Sequence, residues 1–88
     1  MKTEKVRITN PRGLHARAAA KLVEVASGYR SSVRVGQNKM VDGKSILSLM
    51  MLAAVHGTEL RIETEGNDET EAINALKQLI KSGFGEIK

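Results

Sequence analysis

Apolar residues recur along this chain at two different periods. In Lys5-Val6-Arg7-Ile8-Thr9 they alternate with polar ones, so Val6 and Ile8 share one face of a half-buried strand. Asn10-Pro11-Arg12-Gly13 then breaks that strand with strong turn formers. From Ala16 to Ser27 the spacing changes. Ala19, Leu22, Val23 and Ala26 fall at i, i+3, i+4 and i+7, the stripe of an amphipathic helix, and Gly28 ends it. Ser32-Val33-Arg34-Val35 reads as a second short strand. Gly36-Gln37-Asn38 reverses the chain, and Lys39-Met40-Val41 pairs back as a hairpin.

Ile46 to Ala54 is apolar almost throughout and predicts a second helix, with Ser45 in the cap position and His56-Gly57-Thr58 as its break. Glu59 to Glu65 alternates again, with Leu60 and Ile62 inward. After the Gly66-Asn67 turn, Asp68 and Glu71 have the spacing of a capping box. The last helix follows, with Ala72, Leu76, Leu79 and Ile80 on one face, Ile73 beside them, and Gly83 and Gly85 closing it. The order is β-α-β-β-α-β-α. Each strand has one apolar face, so the helices should cover one side of a mostly antiparallel sheet, an α+β fold. Alternation alone leaves the strand order open between a ferredoxin-like arrangement and another split one.

Composition narrows the chemistry. A chain of 88 residues has room for one core, so a single domain over residues 1–88 is expected. There is no cysteine, which excludes disulfides and thiolate metal sites. His15 and His56 are far apart and make a poor metal set, so neither a metal nor a cofactor is expected, and His56 gets no role. No apolar run follows Met1-Lys2-Thr3-Glu4-Lys5, and Ile46 to Val55 is too short to cross a bilayer. The expectation is a cytoplasmic chain without membrane insertion.

The net charge of +4 is unevenly spread. Residues 1–44 hold ten Lys/Arg against three Asp/Glu, and residues 45–88 hold four against seven. The basic half suits phosphorylated or acidic partners and fast encounters with them. Nucleic acid is the rival partner, ranked low because the cations are dispersed and Tyr29 and Phe84 are the only aromatics.

The candidate chemistry lies in the basic half. Gly13-Leu14-His15-Ala16-Arg17 puts a histidine where the alanine-rich helix begins. Helix N-termini present unpaired N–H groups and partial positive charge, and so attract phosphate. Arg17 adds a fixed, forked cation two residues later. A nucleophilic ring nitrogen, amide donors and a guanidinium together suit the acceptance of a phosphoryl group. The plainer reading is a surface histidine or a modest cap, and from these residues alone it is the commoner one.

Gly13-Leu14-His15-Ala16-Arg17 resembles the active-site signature of the HPr family, the histidine-containing phosphocarriers of the bacterial phosphotransferase system. Chain length, the Gly43-Lys44-Ser45-Ile46 segment and the element order fit as well, so the resemblance covers essentially the whole chain. It implies an open-faced β-sandwich, four antiparallel strands with three helices on one face. It further implies that His15 accepts a phosphoryl group on Nδ1 from phosphorylated enzyme I. His15 then hands it to sugar-specific A-type components. Arg17 would neutralise phosphoryl charge, and the N–H groups of Ala16 and Arg17 would bind its oxygens. Such a chain is a stoichiometric carrier, not an enzyme.

Ser45 taken alone is a structural cap. The resemblance makes it a regulatory phosphorylation site in hosts with the bifunctional HPr kinase/phosphorylase. The apolar second helix is either merely greasy or a docking patch, and the resemblance favours docking, with Leu47 and Met50 outward and Ala20 nearby. A monomer is expected. The family usually has proline after the arginine, whereas Ala18 stands here, which keeps the helix but restores an N–H. Two alternatives stay open: a carrier of the nitrogen-related phosphotransferase branch, and an interaction module in which His15 is never phosphorylated.

Overall fold

The computed structural model describes residues 1–86. Four strands form one antiparallel sheet: β1 (Lys2–Arg7), β2 (Ser32–Gly36), β3 (Met40–Asp42) and β4 (Glu59–Glu65). Three helices accompany it: α1 (Ala16–Ser27), α2 (Ile46–Met50) and α3 (Glu69–Lys81). The strand order is β1-β4-β2-β3. β4 is therefore central, and the ferredoxin-like alternative is excluded.

Alternation decides which face of the sheet is covered. Val33 and Val35 on β2 and Leu60 and Ile62 on β4 are buried, and Val35 pairs with Ile62 across the register. Ser32, Arg34, Glu59 and Glu65 between them point to solvent. Onto the apolar face pack Ala18, Ala19, Leu22 and Ala26 of α1, Leu49 of α2, and Ile73, Leu76 and Ile80 of α3. The small alanines of α1 allow close approach. With few aromatics available, this aliphatic core is completed by Phe84, which is fully buried.

Four local expectations need correction. β1 begins at Lys2 rather than Lys5, because Lys2, Thr3 and Glu4 also pair with β4, while Ile8 lies past the last paired residue. β3 is Met40–Asp42 rather than Lys39–Val41, since Gly36 pairs with Met40. α2 stops at Met50 rather than Ala54, because Ala53 turns left-handed (φ 51°) and Ala54 gives its carbonyl to Leu14 N–H at 2.9 Å. The next helical bonds give way to tighter ones, Leu52 N–H to the Leu49 carbonyl and Ala53 N–H to the Met50 carbonyl at 3.1 Å each.

The fourth correction concerns Asp68. It precedes α3, yet its side chain makes no cap bond and no box with Glu71. Its carboxylate reaches across to the loop after α1, accepting from Arg30 N–H and Ser31 N–H at 2.9 Å each and from Ser31 Oγ. Glu69 instead takes the Gly66 N–H at 3.1 Å. The bonds from the Ser31 hydroxyl and the Arg30 amide hold the Asp68 carboxyl at about 2, against an ordinary 3.8. A carboxyl lowered by folding stabilises the fold above its unfolded value and loses that contribution as pH falls through the folded one. Unfolding by urea should therefore become easier between pH 3.8 and about 2. Asp68→Asn should be weaker than the parent at neutral pH, with the two curves converging in acid. Parallel curves across that window would remove Asp68 from the account.

Candidate functional site

The loop before α1 is built to place His15. Gly13 N–H closes a turn on the Asn10 carbonyl at 3.1 Å. Gly13 is left-handed (φ +68°), and a Cβ there would stand 2.5 Å from the Ala54 carbonyl oxygen. Only glycine tolerates both conditions. Leu14 is buried, and its N–H bond to Ala54 ties the loop to the segment after α2. His15 is then the extended N-cap residue of α1 (φ −81°, ψ 179°), its carbonyl accepting the first helical bond, from Ala19 at 2.8 Å.

The His15 side chain does not cap its own helix. The N–H groups of Ala16, Arg17 and Ala18 precede the first helical bond and have no partner among the described residues. They form a cluster of unused donors at the positive end of α1. The Arg17 side chain is exposed beside them, and Ala18 is buried, its methyl turned into the core.

His15 turns instead to the far end of the chain. Its Nε2 lies 2.5 Å from Glu86 Oε2, with both side chains mostly covered (16% and 18% exposed). Glu86 Oε1 accepts from Asn10 Nδ2 at 3.0 Å, and the same Asn10 amide donates to the Gly13 carbonyl at 2.8 Å. Asn10 itself is completely buried. Burial pushes the Glu86 carboxyl up. The hydrogen bonds from Asn10 and His15, with the charges of His15 and Arg12, outweigh that and hold it below the ordinary glutamate range. An ionised carboxylate only accepts, so the shared proton belongs to Nε2, and in the neutral ring Nδ1 keeps its lone pair.

Glu86 arrives there through an unusual turn. Gly83, Phe84 and Gly85 are all left-handed (φ 71°, 57° and 75°). Phe84 plugs the core while its carbonyl accepts from Lys21 Nζ of α1 at 2.7 Å. The chain is thereby strapped across α1, and Glu86 lands on the histidine.

Ser45 is the N-cap of α2, its Oγ accepting from Ser48 N–H at 3.2 Å. Leu47 is 73% exposed, Met50 43% and Met51 78%, with Ile46 and Val55 also exposed. Ala20 is exposed on α1, the helix that packs against α2. His56 is exposed in its turn.

Sequence reasoning missed Asn10, Glu86 and Met51. Glu86 lies 71 residues from His15, and no spacing rule links the two. Asn10 read as a turn former, which it is, and its second task depends on Glu86. The phase of so short and so apolar a helix gave no sign that Met51 would face outward.

Known proteins resemble this chain along nearly all of its length. A family model described as the "PTS HPr component phosphorylation site" matches residues 2–82. The phosphocarrier protein HPr of Pseudomonas aeruginosa is 57% identical over 83 residues, covering 92% of each chain. That of Neisseria meningitidis is 49% identical over 87 residues, covering 98% of each. Among solved structures, HPr-C-His from Thermoanaerobacter tengcongensis superimposes with a TM-score of 0.95 at 44% identity, each chain covered completely. With the open four-stranded sheet and its three helices, these matches place the chain in the HPr family, the phosphocarriers of the phosphotransferase system.

Proposed function

We propose that this chain takes a phosphoryl group on His15 Nδ1 from phosphorylated enzyme I and passes it to sugar-specific A-type components. The observation that supports this most is the engagement of Nε2 by Glu86 at the uncapped start of α1. It leaves Nδ1 as the ring nitrogen free to attack.

The lone pair on Nδ1 forms the new N–P bond, and the donor's bond to phosphorus breaks with its electron pair returning to the donor. The Nε2 proton stays in place, and the positive charge that develops on the ring is met by the Glu86 carboxylate. The N–H groups of Ala16 and Arg17 and the Arg17 guanidinium receive the phosphoryl oxygens, which is positioning plus electrostatics. Onward transfer runs the same step in reverse toward a different acceptor, so the chain is regenerated each cycle. The exposed apolar residues Leu47 and Met50, with Ala20, form the surface on which both partners dock. The test is incubation with enzyme I and phosphoenolpyruvate, read by intact mass before and after acid.

Glu86 is a positioning residue in this scheme. Glu86→Ala removes a charge-assisted hydrogen bond, and phosphoryl acceptance should slow roughly five-fold. The ring ¹⁵N shifts of His15 should move toward a mixed tautomer population. Unchanged shifts together with an unchanged rate would leave Glu86 with a structural role only.

Ser45 serves as cap and as regulatory site. Ser45→Ala should cost about 1 kcal/mol of stability, measured by urea unfolding. A phosphate there adds close to two negative charges at the start of α2, next to the docking residues, and repels an acidic partner. Phosphorylation by an HPr kinase/phosphorylase should therefore slow acceptance from enzyme I without unfolding the chain. Equal rates for the phosphorylated and free forms would confine Ser45 to capping.

A further inference from the structure

The sulfur atoms of this chain are distributed in one direction only. There are four methionines and no cysteine. Buried hydrophobic positions among the described residues are filled by Val, Ile, Leu, Ala and Phe, with no methionine. This is contrary to the usual use of methionine as core filler. Met1 is 68% exposed, Met40 is half-buried, and Met50 and Met51 stand 43% and 78% exposed at the end of α2. Two adjacent thioethers therefore stand at the end of the helix that also exposes Ile46 and Leu47, while the buried core among the described residues carries no sulfur for a mild oxidant to alter.

We infer that Met50 and Met51 form a redox-sensitive modification site, at which reversible sulfoxidation weakens docking and leaves the fold intact. The inference rests on the docking surface proposed above. In the step itself, a thioether sulfur attacks one oxygen of hydrogen peroxide. The O–O bond breaks as the S–O bond forms, the second oxygen departs as hydroxide, and it takes the proton from the transferred oxygen, leaving sulfoxide and water. Sulfur is oxidised by two electrons and peroxide is reduced by two. A sulfoxide is polar, so a surface carrying one no longer buries cheaply against an apolar partner.

The ground around Met51 supports the oxidised form. Met51 shares a cleft with Gln37, Asn38, Lys39 and Ser48. Residues that carry amide, ammonium and hydroxyl donors therefore line the cleft that Met51 also lines. An exposed thioether gains a dipole there without losing packing, so stability is spared.

The experiment oxidises the full chain alone with hydrogen peroxide, removes the oxidant, and maps sulfoxides by peptide mass. Met50 and Met51 should oxidise well ahead of Met40, with the thermal midpoint unchanged. With enzyme I as donor, KM should rise about ten-fold with kcat little altered. Methionine sulfoxide reductase should restore the starting value. In the double variant Met50→Leu and Met51→Leu, the ratio of treated to untreated KM should fall to one, whatever its baseline. Oxidation of Met40 at an equal rate, an unchanged KM after oxidation, or a variant that still responds to peroxide would each overturn the inference. Leu47→Asp separates the two claims. If it raises KM while sulfoxidation does not, the docking surface stands and the redox site falls; if neither raises KM, the docking surface itself falls.

Discussion

His15→Ala should take up no acid-labile phosphoryl group from phosphoenolpyruvate and enzyme I, while the parent chain takes up one. The expected loss is complete because no second group can substitute. His56, the other histidine, is exposed in a turn that leads into β4 rather than into a helix, and there is no cysteine. The fold should survive the change. The His15 backbone carbonyl carries the first bond of α1, and alanine supplies that equally well. Among the described residues the only side-chain bond lost is to Glu86, which keeps its bond from Asn10. Circular dichroism and the thermal midpoint of the variant should therefore stay near those of the parent. A residual acid-labile phosphate in the variant would move the acceptor elsewhere. An intact parent that takes up none from its own host's enzyme I would favour the interaction-module alternative.

Phe84→Ala should have the largest effect on stability, about 3–5 kcal/mol by urea unfolding. The side chain is fully buried, and the surrounding aliphatic core has no other aromatic to fill the space. Against the usual total of about 5–15 kcal/mol for a small domain, that is a substantial fraction. The left-handed backbone at Phe84 (φ 57°) is unfavourable for any side chain. Alanine would suffer the same strain without the burial that offsets it. The strap should loosen as a result, taking Glu86 from His15. Phosphoryl acceptance by the folded fraction should then fall to the level of Glu86→Ala and no further. A loss below about 1 kcal/mol would mean that the core closes without Phe84. Acceptance lower than in Glu86→Ala would show that the strap positions more than one residue.

The sequence by itself determined the order and type of the elements, and it marks His15 as the candidate nucleophile. Alternation in 59–65 marks β4 because every second residue of a half-buried strand must be apolar. The i, i+3, i+4 stripe marks α1, and Gly28 marks its end, because both signals are local. His15 stands out for the same reason, since the glycine turn, the histidine and the arginine lie within five residues of one another.

Tertiary structure decided whatever depends on residues distant in sequence. The order β1-β4-β2-β3 follows from how the apolar faces pack together, not from any strand's own pattern. α2 ends early where Ala53 turns left-handed and Ala54 is bonded to the loop before His15, a partner that no helix propensity anticipates. Asp68 keeps the cap position, but its side chain turns away from α3 because two amides and a hydroxyl from the loop after α1 offer it more bonds. Glu86 reaches His15 only because Phe84 must be buried and the glycines beside it permit the turn. The charge that holds the candidate nucleophile in place is therefore delivered by the packing of the core.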